Sequence, residues 1–326
     1  MSEKKSVKSI IDTIFDTEVL AGANLYDDIM YQLPKDCKIY LCPYAGTGDV
    51  YLASMYMKAY AARNNHENFC VIVVGKANHR VALLFKFSYV ISVTQSEADS
   101  LLRLYMMLGE DCSIKLMHHD PPKMWCGILE NFRNINGLHF VDLFMANVFH
   151  LDPIADRQLP SFDYVSEKIE ELFEENKLEE NNTVILSPYV NTLPPLPQWV
   201  WTNLAGKLKK RGYVVCTNVG GPDEAEIPGT IPLQFGFDIS VPVLEKCGYF
   251  VGIRSGLCDI ISSAKCKKII IYQPYLFWGE GTNWDYFGLN KIGFCDDAVE
   301  LSYEGVEFLD LIDEILEKIY KRENEK

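Results

Sequence analysis

The chain has 326 residues, of which 48% are hydrophobic and 23% charged, with a net charge of −14 at pH 7. This is a globular composition, longer than one ordinary core takes and apolar enough for two. The acidic balance argues against a nucleic-acid partner, which needs a basic surface to neutralise phosphates, and no apolar run is long enough to cross a bilayer, so no transmembrane segment is expected.

In chain order, residues 1–30 predict a helix whose apolar side carries Ile10, Ile11, Ile14, Phe15 and Leu20. "KIYLC" is a short buried strand, ending in the loop "PYAGTGD". The helix after it has Val50, Ala53, Met57 and Tyr60 on one face. "FCVIVVG" and "YVISVT" are further strands, "SIKLMHHDPP" is a strand running into a proline loop, and "GLHFVDLFMANVFHL" reads as helical. Strands alternating with helices imply βαβ units and a parallel sheet.

The acidic run "EKIEELFEENKLEENN" reads as a solvated helix or connector. A second series follows. It holds the strand "TVILS", the helix "WVWTNLAGKLKKRG" with a basic last turn stopped by Gly212, and the strand "YVVCT". Next come the helix "ISVPVLEKCG", the strand "YFVGI", the loop and helix "SGLCDIISSAK", and the strand "KIIIY". The tail is amphipathic, with Phe308, Leu311, Ile312, Ile315 and Ile319 on one side. The expected fold is α/β with two Rossmann-like domains, 1–160 and 183–296. An acidic connector (161–182) joins them, and a closing C-terminal helix (297–326) packs back across them. Open parallel sheets bind ligands beyond the C-terminal ends of their strands, so a cleft between two such domains is the default site.

Five loops leave those strand ends: "PYAGTGD", "HHDPP", "SPYVNT", "NVGGPDE" and "RSGLCD". The first is neither a dinucleotide fingerprint nor a P-loop, since Tyr51 stands at the third glycine and no Gly-Lys-Ser/Thr occurs. Its glycines allow close approach of a ligand. Asp49 is either a cap of the following helix or a catalytic base. In "GIRSGLCD", a diphosphate would find charge at Arg254 and donors at Ser255, Gly256 and Leu257, with Asp259 placed to hold ribose hydroxyls. The competing reading is an Arg254–Asp259 salt bridge. Adjacent histidines on a strand point to opposite faces, which disfavours metal at "HHDPP". Asp120 is the second-choice base, and His79 with Arg80 is a further candidate for the site. The aromatic stretch "YQPYLFWGEGTNWDYF" either stacks on a base or sugar or forms a hydrophobic cluster. The ten cysteines include no Cys-x-x-Cys pair, and the N-terminus lacks the apolar core of a signal peptide, so free thiols in a reducing cytoplasm are expected.

The order of these motifs resembles the ADP-heptose transferase-like glycosyltransferases, which have the two-domain GT-B fold. Gly46, Thr47, Gly48 and Asp49 match that family's Gly-x-Gly-Asp loop, whose aspartate is the proposed general base. Ser187 matches the small polar residue that ends its first donor-domain strand. "QWVWTNLAGKL" matches its tryptophan helix, and Gly220 and Gly221 match its Gly-Gly strand end with an acid soon after. "RSGLCD" lies where the family has Asp-Ser/Thr-Gly-x-x-His, with Arg254 in place of Asp and Asp259 in place of His. The family's lysine before the tryptophan helix has no counterpart. The stretch also resembles GT-B fucosyltransferases loosely, so no particular sugar is implied.

The resemblance implies metal-independent transfer of a sugar from a nucleotide-diphosphate sugar to a saccharide or glycoconjugate acceptor, with no bound cofactor, in surface polysaccharide or glycoconjugate synthesis. In that scheme Asp49 takes the acceptor proton, while Arg254, Ser255 and the N–H groups of Gly256 and Leu257 stabilise the leaving diphosphate. A nucleotide-sugar epimerase, or a non-catalytic nucleotide-sugar-binding protein of the same fold, stays open as the alternative.

Overall fold

The computed structural model describes residues 7–118, 139–152, 155–164, 167–190, 194–221, 223–274, 282–303 and 307–321, with backbone alone for 7–16 and 110. The chain divides into two compact units. One is Met1–Leu129 with Asp142–Pro160, and the other is Glu130–Val141 with Ser161–Lys326.

The first unit holds a four-stranded parallel sheet in the order β3-β2-β1-β4. Its strands are β1 (Lys38–Cys42), β2 (Phe69–Val74), β3 (Tyr89–Val93) and β4 (Ile114–Leu116). Around it lie α1 (Val7–Tyr31), α2 (Thr47–Arg63), α3 (Gly75–Leu83) and α4 (Gln95–Leu108). β1 and β2 are apolar runs with every central residue buried, as strands covered on both faces are. Thr94 opens α4 with a capping box, its hydroxyl taking the Glu97 N–H while the Glu97 carboxylate takes the Thr94 N–H.

Two helices differ from the sequence expectation. Leu20, expected on the buried side of α1, is 62% exposed. Among the described side chains of α1, those that meet the core include Val19, Ala23, Tyr26, Ile29 and Met30, while those of Ile10, Ile11, Ile14 and Phe15 lie outside the described side chains. The register of α1 is set by Gly22, where a Cβ would lie 2.2 Å from the Ser100 carbonyl oxygen of α4, so the two backbones meet there. In α2, Val50 through Met57 are all buried, not one face alone. The sheet covers one side. The segment before residue 160 returns over another, where Phe149 packs on Tyr56 and Tyr60, and the Gln158 N–H donates to the Met55 carbonyl. The stretch expected as one helix before this return is a short turn, Phe140–Leu143, running into a π-helical turn, Phe144–Val148.

The second unit holds a six-stranded parallel sheet in the order β10-β9-β8-β5-β6-β7. Its strands are β5 (Thr183–Ser187), β6 (Val214–Asn218), β7 (Ile231–Leu233), β8 (Gly248–Ile253), β9 (Lys267–Tyr272) and β10 (Val299–Ser302). Its helices are α5 (Glu167–Asn176), α6 (Gln198–Lys210), α7 (Ser240–Cys247), α8 (Gly256–Ile260), α9 (Asn283–Phe287) and α10 (Phe308–Tyr320). Gly212 follows α6 with φ +90°, the left-handed geometry that stops a helix. Pro242 lies in the first turn of α7, where its missing N–H breaks no intrahelical bond. The apolar side of α10 (Leu311, Ile312, Ile315, Leu316 and Ile319) joins one core with α6 and the strands of this sheet. The acidic run forms α5, with Ile169 and Phe173 buried and Glu170 paired to Lys246 of α7 at 2.6 Å.

At one strand start in the first unit, the buried Tyr40 hydroxyl lies 2.8 Å from Nδ1 of His66. Burial first, then the charges of Lys38 and Lys115, hold the His66 imidazole below its ordinary pKa of 6.5. Burial pushes the Tyr40 hydroxyl up, so the tyrosine is the donor and the histidine the neutral acceptor. In the unfolded chain His66 takes a proton as pH falls through 6.5, whereas in the folded chain it takes one only at lower pH. Its contribution to stability is therefore complete above 6.5 and is lost as pH falls from there toward the depressed folded value. His66→Gln should flatten this part of the acid loss when the unfolding midpoint is followed between pH 7.5 and roughly pH 5; parallel curves for the two proteins would contradict it. A Gly22→Ala substitution should force α1 off α4 and cost roughly 1–3 kcal/mol in urea unfolding, as overpacked contacts do.

Candidate functional site

In an open parallel sheet the loops that matter leave the strand ends where the strand order reverses. In the first sheet that point lies between β1 and β4, and in the second between β5 and β8. Asp49 follows β1, Ser187 ends β5 and Arg254–Asp259 follow β8, so these residues singled out by sequence fall there.

In the first unit, β1 ends at Cys42 and α2 begins at Thr47, with Gly46 as its N-cap residue. Gly46 has no side chain to offer the free N–H groups. Asp49 lies in the first turn, half-buried. Its Oδ2 comes within 2.9 Å of where a Cβ on residue 46 would stand, so the carboxylate folds back over Gly46. Thr47 and Gly48 are half-buried beside it. Burial first, and then the negative charge of Asp49, push the Cys42 thiol well above its ordinary pKa, which keeps that sulfur inert.

The exit of β4, the neighbouring strand, supplies His118. Its ring stacks on Tyr44 with centroids 4.6 Å apart and planes 15° from parallel. Tyr44 also leans on Phe144. Its carbonyl accepts from the side chain of the buried Asn78, in α3, at 2.7 Å. His79 is half-buried and Arg80 exposed on the same helix. Asp120, the second-choice base, and His119 lie outside the described residues.

In the second unit, Ser187 ends β5, 97% buried, and takes a long hydrogen bond from Asn218 at 3.5 Å. It pairs in register with Gly252 of β8, where a Cβ would lie 2.7 Å from the Phe250 ring and 3.1 Å from the Ser187 Cβ. After β6, the N–H groups of Gly220 and Gly221 both donate to one oxygen of Glu224, at 2.7 and 3.0 Å. Two successive N–H groups aimed at one carboxylate oxygen form an anion-binding nest, filled here from within the chain. Glu224 was visible in the sequence only as the acid that closes "GGPDE".

After β8 the ion pair is the arrangement present. Arg254 meets both oxygens of Asp259, through Nη1 at 3.0 Å and Nη2 at 2.6 Å. It also donates from Nη1 to the Ser255 carbonyl at 2.6 Å and from Nε to the Phe287 carbonyl at 3.0 Å. Asp259 is 98% buried. Burial alone pulls the arginine pKa down, but the nearby Asp259 carboxylate more than offsets it and the guanidinium stays charged. Burial likewise pushes Asp259 up against the pull of Arg254; the two-oxygen fork, with a donor on each oxygen, favours the ionic form of both. Arg254 is therefore paired within the fold, with Asp259 as its counter-ion.

What remains at this strand end is backbone and a hydroxyl. Ser255 is the N-cap residue of α8 and makes no side-chain cap bond, while Ser255, Gly256 and Leu257 are half-buried. A second buried network ties the loop across β9 and β10. Tyr272 donates to Glu300 at 2.6 Å, and the same Glu300 oxygen takes the Leu289 N–H at 2.6 Å. Of the aromatic stretch, 275–281 lies outside the described residues. Trp284 is 38% exposed, with the Lys291 ammonium 3.6 Å from its ring centroid. Among the described residues, no three His, Cys, Asp or Glu side chains group as metal ligands.

No family model matches the sequence, and no curated protein does. Solved structures do. The chain is similar to the E. coli ADP-heptose LPS heptosyltransferase II, with TM-score 0.57 and 14% identity over 88% of this chain and 99% of that one. It is similar to the E. coli heptosyltransferase WaaC with ADP, with TM-score 0.54 and 13% identity over 87% and 99%. It is also similar to a family 9 glycosyl transferase from Veillonella parvula, with TM-score 0.53 and 12% identity over 87% and 97%. At such identities the likeness is one of fold. The chain has the α/β, two-domain GT-B architecture of these glycosyltransferases.

Removing Asp259 leaves a buried guanidinium without its counter-ion. Asp259→Ala should cost about 3–5 kcal/mol in denaturant unfolding. The double variant Arg254→Met with Asp259→Leu should recover most of that loss. A single variant as stable as wild type would show that the pair contributes nothing.

Proposed function

We propose that the protein is a glycosyltransferase that moves a sugar from a nucleotide-diphosphate sugar to the hydroxyl of a saccharide or glycoconjugate acceptor. One observation carries this reading. The strand-order reversal of the first sheet presents a carboxylate, Asp49, in the first turn of a helix, and that of the second presents a serine and uncapped N–H groups at Ser255–Leu257. An acid to take a proton and donors to hold a leaving diphosphate are the two parts that sugar transfer needs. The solved glycosyltransferases of the same fold support this, two of them described with ADP or as ADP-heptose enzymes.

The second unit holds the donor. Ser255 and the N–H groups of Gly256 and Leu257 meet the diphosphate, where negative charge grows as the bond to the sugar breaks. Arg254 works through this loop. By gripping the Ser255 carbonyl, Asp259 and the Phe287 carbonyl, it fixes where those donors point. Ser187, Gly220 and Gly221 line the neighbouring strand ends, and a hydroxyl or phosphate of the donor exchanges with Glu224 at the glycine nest. We assign Asp49, in the first unit, the role of base for the acceptor hydroxyl. The reaction runs without a metal ion, the leaving group's charge being met by the protein's own donors.

Free cysteines throughout the described residues, nearly all buried, suit a reducing compartment, and we place the enzyme in the cytoplasm. No described helix is long and apolar enough to cross a membrane.

The test is Asp49→Asn. It keeps the shape of the side chain and removes its basicity. Turnover with the competent donor should fall about 10²–10⁴-fold, the usual worth of a general base, while the dissociation constant for the nucleoside diphosphate stays within about twofold, because no donor contact is touched. Unchanged turnover would remove Asp49 from the chemistry. Binding with no turnover in either protein would make the chain a nucleotide-sugar-binding protein.

A further inference from the structure

Asn78 is 98% buried in α3. Its Nδ2 donates to the Tyr44 carbonyl at 2.7 Å, across 34 residues of sequence. Its Oδ1 is buried and meets no donor among the described residues. A buried amide with one half satisfied is a costly occupant, since an unmet acceptor costs roughly 1–3 kcal/mol and an apolar side chain would avoid it. Such a residue is explained by what its one bond does.

That bond fixes the loop from which Asp49 is aimed. Tyr44 stands two residues before Gly46, and Gly46 is the residue over which the Asp49 carboxylate folds. The Tyr44 ring is held as well, stacked on His118 and against Phe144. Backbone and ring are thus clamped from three elements, α3, the β4 exit and the π-helical turn at Phe144–Val148. The carbonyl clamp is the only one of these that acts on the backbone leading into Gly46. We propose that Asn78 is a positioning residue for Asp49, holding the Tyr44–Gly46 backbone so that the carboxylate keeps the orientation that proton transfer requires. This rests on the reading of Asp49 as base. A shift of about 1 Å in such a group is enough to cost on the order of 10²-fold in rate.

Two measurements test it. Hydrogen exchange of the 43–50 segment needs no substrate. In Asn78→Ala it should be faster by about tenfold, the fold-change of one lost hydrogen bond, with exchange in the second unit unchanged. Asn78→Asp, the same shape with an acceptor facing the Tyr44 carbonyl, is the variant to read if the alanine protein fails to fold, and it should show the same acceleration. Turnover is then compared in a double-mutant cycle. Asn78→Ala should lower kcat by about 10–100-fold with KM for the donor unchanged, and should lower it no further once Asp49 is already Asn. Unchanged exchange at 43–50 overturns the proposal. So does a kcat loss that adds in full to that of Asp49→Asn, since Asn78 would then act elsewhere. If wild-type protein turns over no donor, the glycosyltransferase reading fails, and the exchange result still decides whether Asn78 holds this loop.

Discussion

The second unit is organised around one buried ion pair. A guanidinium in a protein interior demands a counter-ion and a full set of acceptors, because its desolvation is costly unless both are met. Arg254 finds them in Asp259 and in the carbonyls of Ser255 and Phe287. Those partners belong to the β8 exit, to α8 and to the end of α9, so satisfying one charge fixes three pieces of chain at a single strand end. Tyr272 and Glu300 continue the same network through the Leu289 N–H. Burial and the Glu300 carboxylate keep the Tyr272 hydroxyl protonated against the opposing pull of Arg254, which makes it a dependable donor. The result is a rigid rim around Ser255–Leu257, the place where a leaving group's charge would have to be met without rearrangement.

The first unit fixes its strand-end loop by other means. Its devices are a carbonyl clamp from Asn78, an aromatic stack between Tyr44 and His118, and a glycine that admits the Asp49 carboxylate at close range. Covering α2 on more than one side also matters here. A helix buried from Val50 to Met57 cannot rotate without opening the core, so its first turn, with Asp49, is held by packing as well as by the loop.

Much of the fold was legible because parallel strands buried on both faces read as unbroken apolar runs, and "FCVIVV", "YFVGI" and "KIIIY" are such runs. The glycine stop after α6 and the apolar side of α10 were legible for similar local reasons. The α1 register was not, because a backbone contact at Gly22 decides it, and a missing side chain leaves no periodic signal. The all-round burial of α2 depends on a segment some 90 residues later, which helical periodicity cannot report. At the site, Asp49 and the loop after β8 could be picked out by position. Whether Arg254 was a ligand anchor or half of an ion pair could not be decided from spacing, since Arg and Asp five apart suit either. Asn78 left no trace at all, because "GKANHRVAL" reads as an ordinary helix and its partner is a backbone carbonyl.

The central claim is that the second unit carries a nucleoside-diphosphate site that works without metal. It is tested most directly by thermal unfolding against ADP, GDP, UDP and dTDP, with and without a chelator. A ligand that binds only the folded chain raises the midpoint by mass action, by about 2.7 kcal/mol of stability at a hundred times its dissociation constant. One nucleotide should stabilise the protein strongly, and by the same amount when chelator is present. No shift with any of the four at millimolar concentration, or a shift that chelator abolishes, would contradict the account.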